Sequence, residues 1–293
     1  GSLYELPFRS DYWLIYYNKD VFDAAGIAYP SNDMTMEDYD ALARQLTDTT
    51  YGSQVYGCHY HTWRSAVELF GILDGKHSIL DGNYDWMIPY YDMILSEEDD
   101  GVCQTYTDLS TEGLHYSAAF SNGNVAMMNM GSWFISTLIS NLDSGEYDSS
   151  LCGNWGIASY PHPDGAEAGS TIATITGLAV TSASANKDAA FDFVNWVSGT
   201  EGAKVMASTG NFPAIMTDDV INTIAGMAGF PTDEGSKEAL NITNAYLEVP
   251  YAENISEINS ILDTYHTSIM NREVTVEEGV ASMNEQVGKI LNQ

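Results

Sequence analysis

Tyr12-Trp13-Leu14-Ile15-Tyr16-Tyr17, followed by Asn18-Lys19-Asp20-Val21-Phe22 and Ala25-Gly26-Ile27, decides the fold. The first six residues are aromatic and aliphatic, the composition of a buried strand. Asn18 is placed to cap a short helix, and Gly26 is placed to end it in the left-handed conformation. A strand running directly into a helix is the opening unit of an α/β protein. The rest of the chain keeps that alternation. Thr35 and Asp38 form a capping box ahead of Met36, Tyr39, Leu42, Ala43 and Leu46, whose spacing is helical. A helix is expected over Trp63–Leu73, with Val67, Phe70 and Leu73 inward. The acidic run Glu97-Glu98-Asp99-Asp100 reads as a loop closed by Gly101, followed by one helix over about 110–121. Val125–Met130 reads as a strand that turns through Gly131-Ser132 into a helix opening at Trp133. Strands follow at Trp155–Tyr160 and Gly177–Thr181. Beyond 186 the pattern is mainly helical. Ala190, Phe193, Val194 and Val197 are expected on one inward face. Asn211-Phe212-Pro213-Ala214 must be extended before its proline. Thr275 and Glu278 open the final helix, lined by Val276, Val280, Met283, Val287 and Ile290. Strands interleaved with helices give an α/β class rather than a bundle or sandwich.

Ten basic against 41 acidic residues leave a formal charge of −31, which excludes phosphate-neutralising contacts with nucleic acid and docking on anionic lipid. No apolar run reaches the roughly 20 residues that cross a bilayer. The opening Gly1-Ser2-Leu3-Tyr4 carries no leader pattern. The sequence lacks GxSxG, HExxH, Walker and GxGxxG motifs, so no cofactor and no catalytic residue is assigned. Cys58, Cys103 and Cys152 are far apart, with no CxxC spacing. Buried free thiols are the simplest reading, and a zinc site is not expected. His59 and His61 would share a strand face but lack a third metal ligand. Asp81, Asn83 and Asp85 open like a calcium loop, yet Trp86 stands where that loop needs glycine. The 19 Tyr, 9 Phe and 6 Trp supply ring faces of the kind that stack on sugars.

Five segments, in order over about 10–290, resemble the extracellular solute-binding proteins of ABC importers, in the maltose-binding-protein group that carries mostly sugars. They are Leu6-Pro7-Phe8 with Leu14–Phe22 and Ala25-Gly26-Ile27; Met34–Tyr39; Phe120–Met128 with Gly131-Ser132-Trp133; Ser182–Ala190 with Phe193-Val194 and Gly199–Gly202; and Asn211–Ala214. The resemblance implies a class II periplasmic-binding-protein-like fold. Members of that family have about a hundred residues before the first hinge, so this chain corresponds mainly to the C-terminal lobe with a remnant of the N-terminal lobe. Residues 12–170 and 214–293 would form the C-terminal lobe, 171–213 the remnant, and 1–11 the first hinge. The implied protein is a monomer outside the cell, lipid-anchored in full-length form or periplasmic. It would bind a saccharide and deliver it to ABC permease subunits without chemistry, and weakly as a single lobe.

Within that resemblance, Trp133 stacks on the ligand, and Gly131 and Ser132 permit close approach at a helix start. His61, Trp63 and Arg64 offer an aromatic and polar edge. Arg64 is suited to a sugar hydroxyl pair or a carboxylate, or to an ion pair with Glu68. Asn244, Tyr251 and Glu257 complete the expected lining, and Thr174 and Thr176 flank the second hinge. A secreted glycoside hydrolase, which needs two facing carboxylates, is the alternative activity. The same fold holding a polyamine or a peptide is the alternative ligand class.

Overall fold

The computed structural model describes residues 3–47 and 54–292. The chain begins with β1 (Leu6–Asn18), α1 (Lys19–Ala25), α2 (Met36–Leu46), β2 (Tyr56–His59), α3 (Ser65–Ile72) and α4 (Ile88–Asp99). It continues through α5 (Tyr106–Glu112), α6 (Tyr116–Ser121), β3 (Val125–Gly131), α7 (Trp133–Ser144), α8 (Ser149–Cys152), β4 (Trp155–Ser159) and β5 (Thr171–Leu178). The remainder is α9 (Lys187–Val197), α10 (Thr200–Ala207), α11 (Asp218–Ala225), α12 (Glu234–Glu238), β6 (Ala245–Leu247), α13 (Ile255–Met270) and α14 (Val276–Leu291).

β1 is the spine. Its second half pairs antiparallel with β3, Trp13 opposite Gly131 through Tyr17 opposite Met127, and with β4 through Leu14–Asn18. Its first half pairs antiparallel with β5, from Leu6 opposite Leu178 to Tyr12 opposite Ala173. β2 joins β3 in parallel, and β6 joins β5 in parallel. The sheet order is therefore β2-β3-β1-β5-β6, with β4 on β1. The segment before Pro213 is extended: Ser10 donates its N–H to the Phe212 carbonyl, and Ala214 donates to Phe8.

All seven residues of β3 are buried, as a strand covered on both faces requires. Tyr16 and Tyr17 anchor the core on the second half of β1. The Tyr16 ring meets Phe134 edge-on at 5.2 Å, and its hydroxyl donates to the Gly131 carbonyl at 2.9 Å. Gly57 lets α2 lie directly on β2, since a Cβ there would fall 1.7 Å from the Ala43 carbonyl oxygen. Capping follows the sequence signals. Asn18 accepts from Asp20, Gly26 adopts φ 67°, and full capping boxes form at Thr35/Asp38 and Thr275/Glu278. Among the described residues, no helix is long and apolar enough to cross a membrane.

Four expectations need correction. The run Glu97–Asp99 is not a loop: it is the C-terminal turn of α4, and Glu97 and Glu98 are buried. The helix expected over about 110–121 is two, α5 and α6, divided by Gly113 in the left-handed conformation. The strand expected at Gly177–Thr181 begins at Thr171 and ends at Leu178. On α9 only Val194 is buried, while Phe191, Phe193 and Trp196 face outward. Ile175 and Val205 are exposed as well. β1 changes partners between Tyr12 and Trp13, β5 starts at Thr171, and Arg9 bridges Pro213 antiparallel.

His59 at the end of β2 is 1% exposed, and neither ring nitrogen makes a hydrogen bond of ordinary geometry. Burial, then the nearby His61, pushes its pKa down to about 3. Above pH 6.5 the ring is neutral in folded and unfolded chains alike. Below it the unfolded chain takes a proton that the folded one refuses, so stability falls by about 1.4 kcal/mol per pH unit until about pH 3. We expect His59→Leu to lose about 2 kcal/mol less stability than the parent between pH 7 and 5, measured by urea unfolding at both values.

Candidate functional site

Where β1 changes partners, its backbone delivers Trp13 to the side of the sheet facing α3 and α7. Trp133 opens α7 directly after β3. Gly131 makes room for it, since a Cβ at that position would lie 2.0 Å from the Trp133 ring. Trp63 lies in the turn before α3. The three indoles converge: Trp13 and Trp133 meet edge-on at 5.4 Å, Trp63 and Trp133 lie 6.3 Å apart, and Trp13 and Trp63 lie 6.4 Å apart. Trp13 is buried, Trp133 half-buried and Trp63 40% exposed, so the group descends from rim to floor. The N–H groups of the two inner indoles of this cluster are used. Trp133 donates to the Tyr116 hydroxyl at 3.1 Å, and Trp13 donates to Glu248 at 3.3 Å.

These rings line a cleft of about 480 Å³, within the roughly 300–1,000 Å³ usual for small-molecule sites. Its polar wall comes from α3 and α13. Arg64 is buried and its whole fork is engaged. It pairs with Glu68, donates from Nε to Asp263 at 2.9 Å, and donates from Nη2 to Asn259 at 2.6 Å. Glu248, just past β6, accepts from the Thr174 hydroxyl at 2.5 Å as well as from Trp13. One cation thus faces three carboxylates, Glu68, Asp263 and Glu248. His266 on the same face of α13 is held neutral, its pKa pushed down to about 3 by burial and then by the Arg64 charge. Its Nδ1 lies 3.0 Å from the Tyr91 hydroxyl.

Of the residues singled out from the sequence, Trp63, Arg64, Trp133 and Thr174 line this cleft. Gly131 acts from beneath, by seating Trp133. Arg64 does pair with Glu68, but inside the wall rather than on the surface. His61 stands behind the rim, its ring edge-on to Trp63 at 4.6 Å, with its pKa lowered to about 4 by burial and then by His115. Ser132 does not present its hydroxyl to the cleft, nor does it cap α7. It is fully buried, donating to Asp11 at 3.0 Å and accepting from the Tyr12 N–H, which fastens α7 to β1. Tyr251 is 99% exposed and outside the cleft. Glu257 is exposed on another face of α13. Asn244 is turned to Glu167 and Ser170 at the far end of β5. Their places are taken by Glu248 and Val249 instead of Tyr251, and by Asn259, Asp263, His266 and Thr267 instead of Glu257. That last set recurs every three to four residues, a polar stripe on one helical face that the sequence does display. The Asp81–Asp85 segment is closed by its own contacts: Asp81 accepts from Ser78 and Asp85 from Asn284.

Among solved structures, a sugar transporter from Rhizobium etli in an open conformation matches with a TM-score of 0.89 and 49% identity, over 98% of this chain and 72% of that one. An ABC substrate-binding protein from Listeria monocytogenes in complex with cycloalternan matches with a TM-score of 0.79 and 22% identity, over 99% and 72%. An ABC transporter solute-binding protein from Thermotoga lettingae bound with α-D-tagatose matches with 0.74 and 18%, over 98% and 72%. No curated protein matches. The family model for bacterial extracellular solute-binding proteins matches residues 1–204, more than half of the chain. The chain therefore belongs to the bacterial extracellular solute-binding proteins.

Proposed function

We propose that this protein binds a neutral saccharide in the tryptophan-lined cleft, outside the cell, and passes it unaltered to the permease of an ABC importer. The observation that carries the reading is the convergence of Trp13, Trp63 and Trp133 beside a wall of amide, hydroxyl and carboxylate groups. Indole faces cover the C–H faces of a sugar ring, while carboxylates and Asn259 accept or donate to its hydroxyls. The Rhizobium etli relative, named as a sugar transporter, supports the same ligand class. In this reading residues 12–170 and 214–293 form the C-terminal lobe, 171–213 the N-lobe remnant with hinge segments, and 1–11 the first hinge. The protein acts as a monomer.

The charge balance refines the ligand. Each nitrogen of Arg64 already donates once, to Glu68, Asp263 or Asn259. The guanidinium therefore has no free fork for a substrate carboxylate, and the surplus of carboxylates repels one. The same engagement argues against hydrolysis, because each cleft carboxylate is tied to Arg64, or to Trp13 and Thr174, rather than free to act as acid or nucleophile.

In calorimetric titration of a glycan panel, we expect this chain to prefer neutral sugars. The matched uronic acids should bind at least about tenfold more weakly, a gap that narrows with added salt. Equal affinity for a uronate would overturn the neutral-ligand reading. We expect Trp133→Ala to weaken the best neutral ligand by about tenfold to a hundredfold, as loss of a central aromatic contact does, and to lower Tm through the packing it removes. Gly131→Ala should weaken it comparably by displacing the indole. Tyr251→Ala should leave affinity unchanged.

A further inference from the structure

Two of the three cysteines meet a carboxylate inside the core, and none of the three lines the tryptophan cleft. Cys58 is in β2, Cys103 follows α4, and Glu97 is in the last turn of α4. All three are buried. Their two sulfurs and one carboxylate oxygen lie within 4.8 Å of one another. Glu97 is 0% exposed, and neither of its oxygens has a hydrogen-bond partner of ordinary geometry. The polar groups around it are treated differently. Glu98, the next residue, accepts from the Tyr106 N–H at 2.8 Å and from Arg272 at 3.4 Å. Tyr39 donates to Asn129 at 2.6 Å, and Asn129 donates to the Tyr160 hydroxyl at 3.0 Å. The Tyr60 hydroxyl and Asp40 lie against Glu97, and Tyr60, like His59 beside Cys58, has no partner of ordinary geometry.

A buried carboxyl group without a partner is costly, and two thiols alongside do little to relieve it. A cation relieves it directly. The donor set states which kind. Magnesium and calcium require shells of oxygen, whereas two cysteine sulfurs with one carboxylate suit a thiophilic d10 ion. Around a tetrahedral zinc ion, sulfurs at about 2.3 Å lie about 3.8 Å apart, so a cluster within 4.8 Å must draw together by side-chain rotation to close. Binding would release the two thiol protons and, where burial keeps Glu97 protonated, its carboxyl proton as well, with no oxidation or reduction.

We propose that Cys58, Cys103 and Glu97 form a buried structural site for a thiophilic divalent cation of the zinc class, joining β2 to the end of α4. The site is independent of the cleft and of the ligand reading. The test uses the whole chain, purified under reducing conditions, stripped with chelator and titrated with zinc and with cadmium. The expected result is uptake of one equivalent, a cadmium–thiolate charge-transfer band in the ultraviolet, and a higher Tm with metal. Cys152→Ser should retain all three effects. Glu97→Gln should bind at least about tenfold more weakly, and Cys58→Ser should lose the band. Should Cys58→Ser fail to fold, the band in the parent chain decides alone. Absence of uptake by the reduced parent chain would overturn the proposal. So would an intact mass two hydrogens lower with Cys58 and Cys103 peptides linked, because a disulfide has no thiolate to give.

Discussion

Thirteen extended residues, Leu6–Asn18, hold the molecule together, because one strand is hydrogen-bonded to different partners along its two halves. The first half belongs with β5 and the segment before Pro213, and the second with β3 and β4. Between them, Asp11 and Tyr12 receive the buried Ser132, so the start of α7 is tied to the point where the partners change. The cleft sits at this junction because Trp13 follows it on β1 and Trp133 follows Ser132. Two aromatic residues remote in sequence are thus registered by the antiparallel pairing of Trp13 with Gly131.

The wall opposite is built on a different principle. Arg64 is a buried cation whose geometry is satisfied by groups from two helices, Glu68 one turn along α3 and Asn259 and Asp263 on α13. Breaking such an arrangement leaves uncompensated charge, which makes it rigid even where its net contribution to stability is modest. Rigidity is what a recognition surface needs, since polar groups already held in place lose little entropy when a ligand arrives. The two walls therefore present complementary chemistry, apolar ring faces on one side and oriented polar groups on the other.

Much of this was legible in the residues, where the determining interactions are local. Caps at Asn18, Thr35 and Thr275 and the left-handed Gly26 depend on neighbours within a turn, and they form as the sequence indicates. Trp63, Arg64 and Trp133 were marked by position beside helix starts. What escaped depends on distant partners. Glu97 and Glu98 look like solvated charge until β2 and Arg272 are folded over them. Ser132 looks like a cap until Asp11 claims its hydroxyl. Trp13 reads as core, and Glu248 acquires meaning only when a short parallel pairing of β6 on β5 brings it to the indole N–H. Phe193 reads as inward because its helical spacing is correct, yet periodicity cannot say whether anything covers that face.

That outward face of α9 has a colloidal consequence. Phe193 and Trp196, three apart on α9, form an adhesive stripe, with Phe191 exposed on another side, on a body carrying −31 formal charges. In dilute buffer, mutual repulsion keeps neighbouring molecules beyond the reach of apolar contact. At an ionic strength of 0.1 M the screening length contracts to about 10 Å, and the stripe begins to govern how two molecules meet. Solubility of this chain should thus decline as salt rises, the reverse of salting-in.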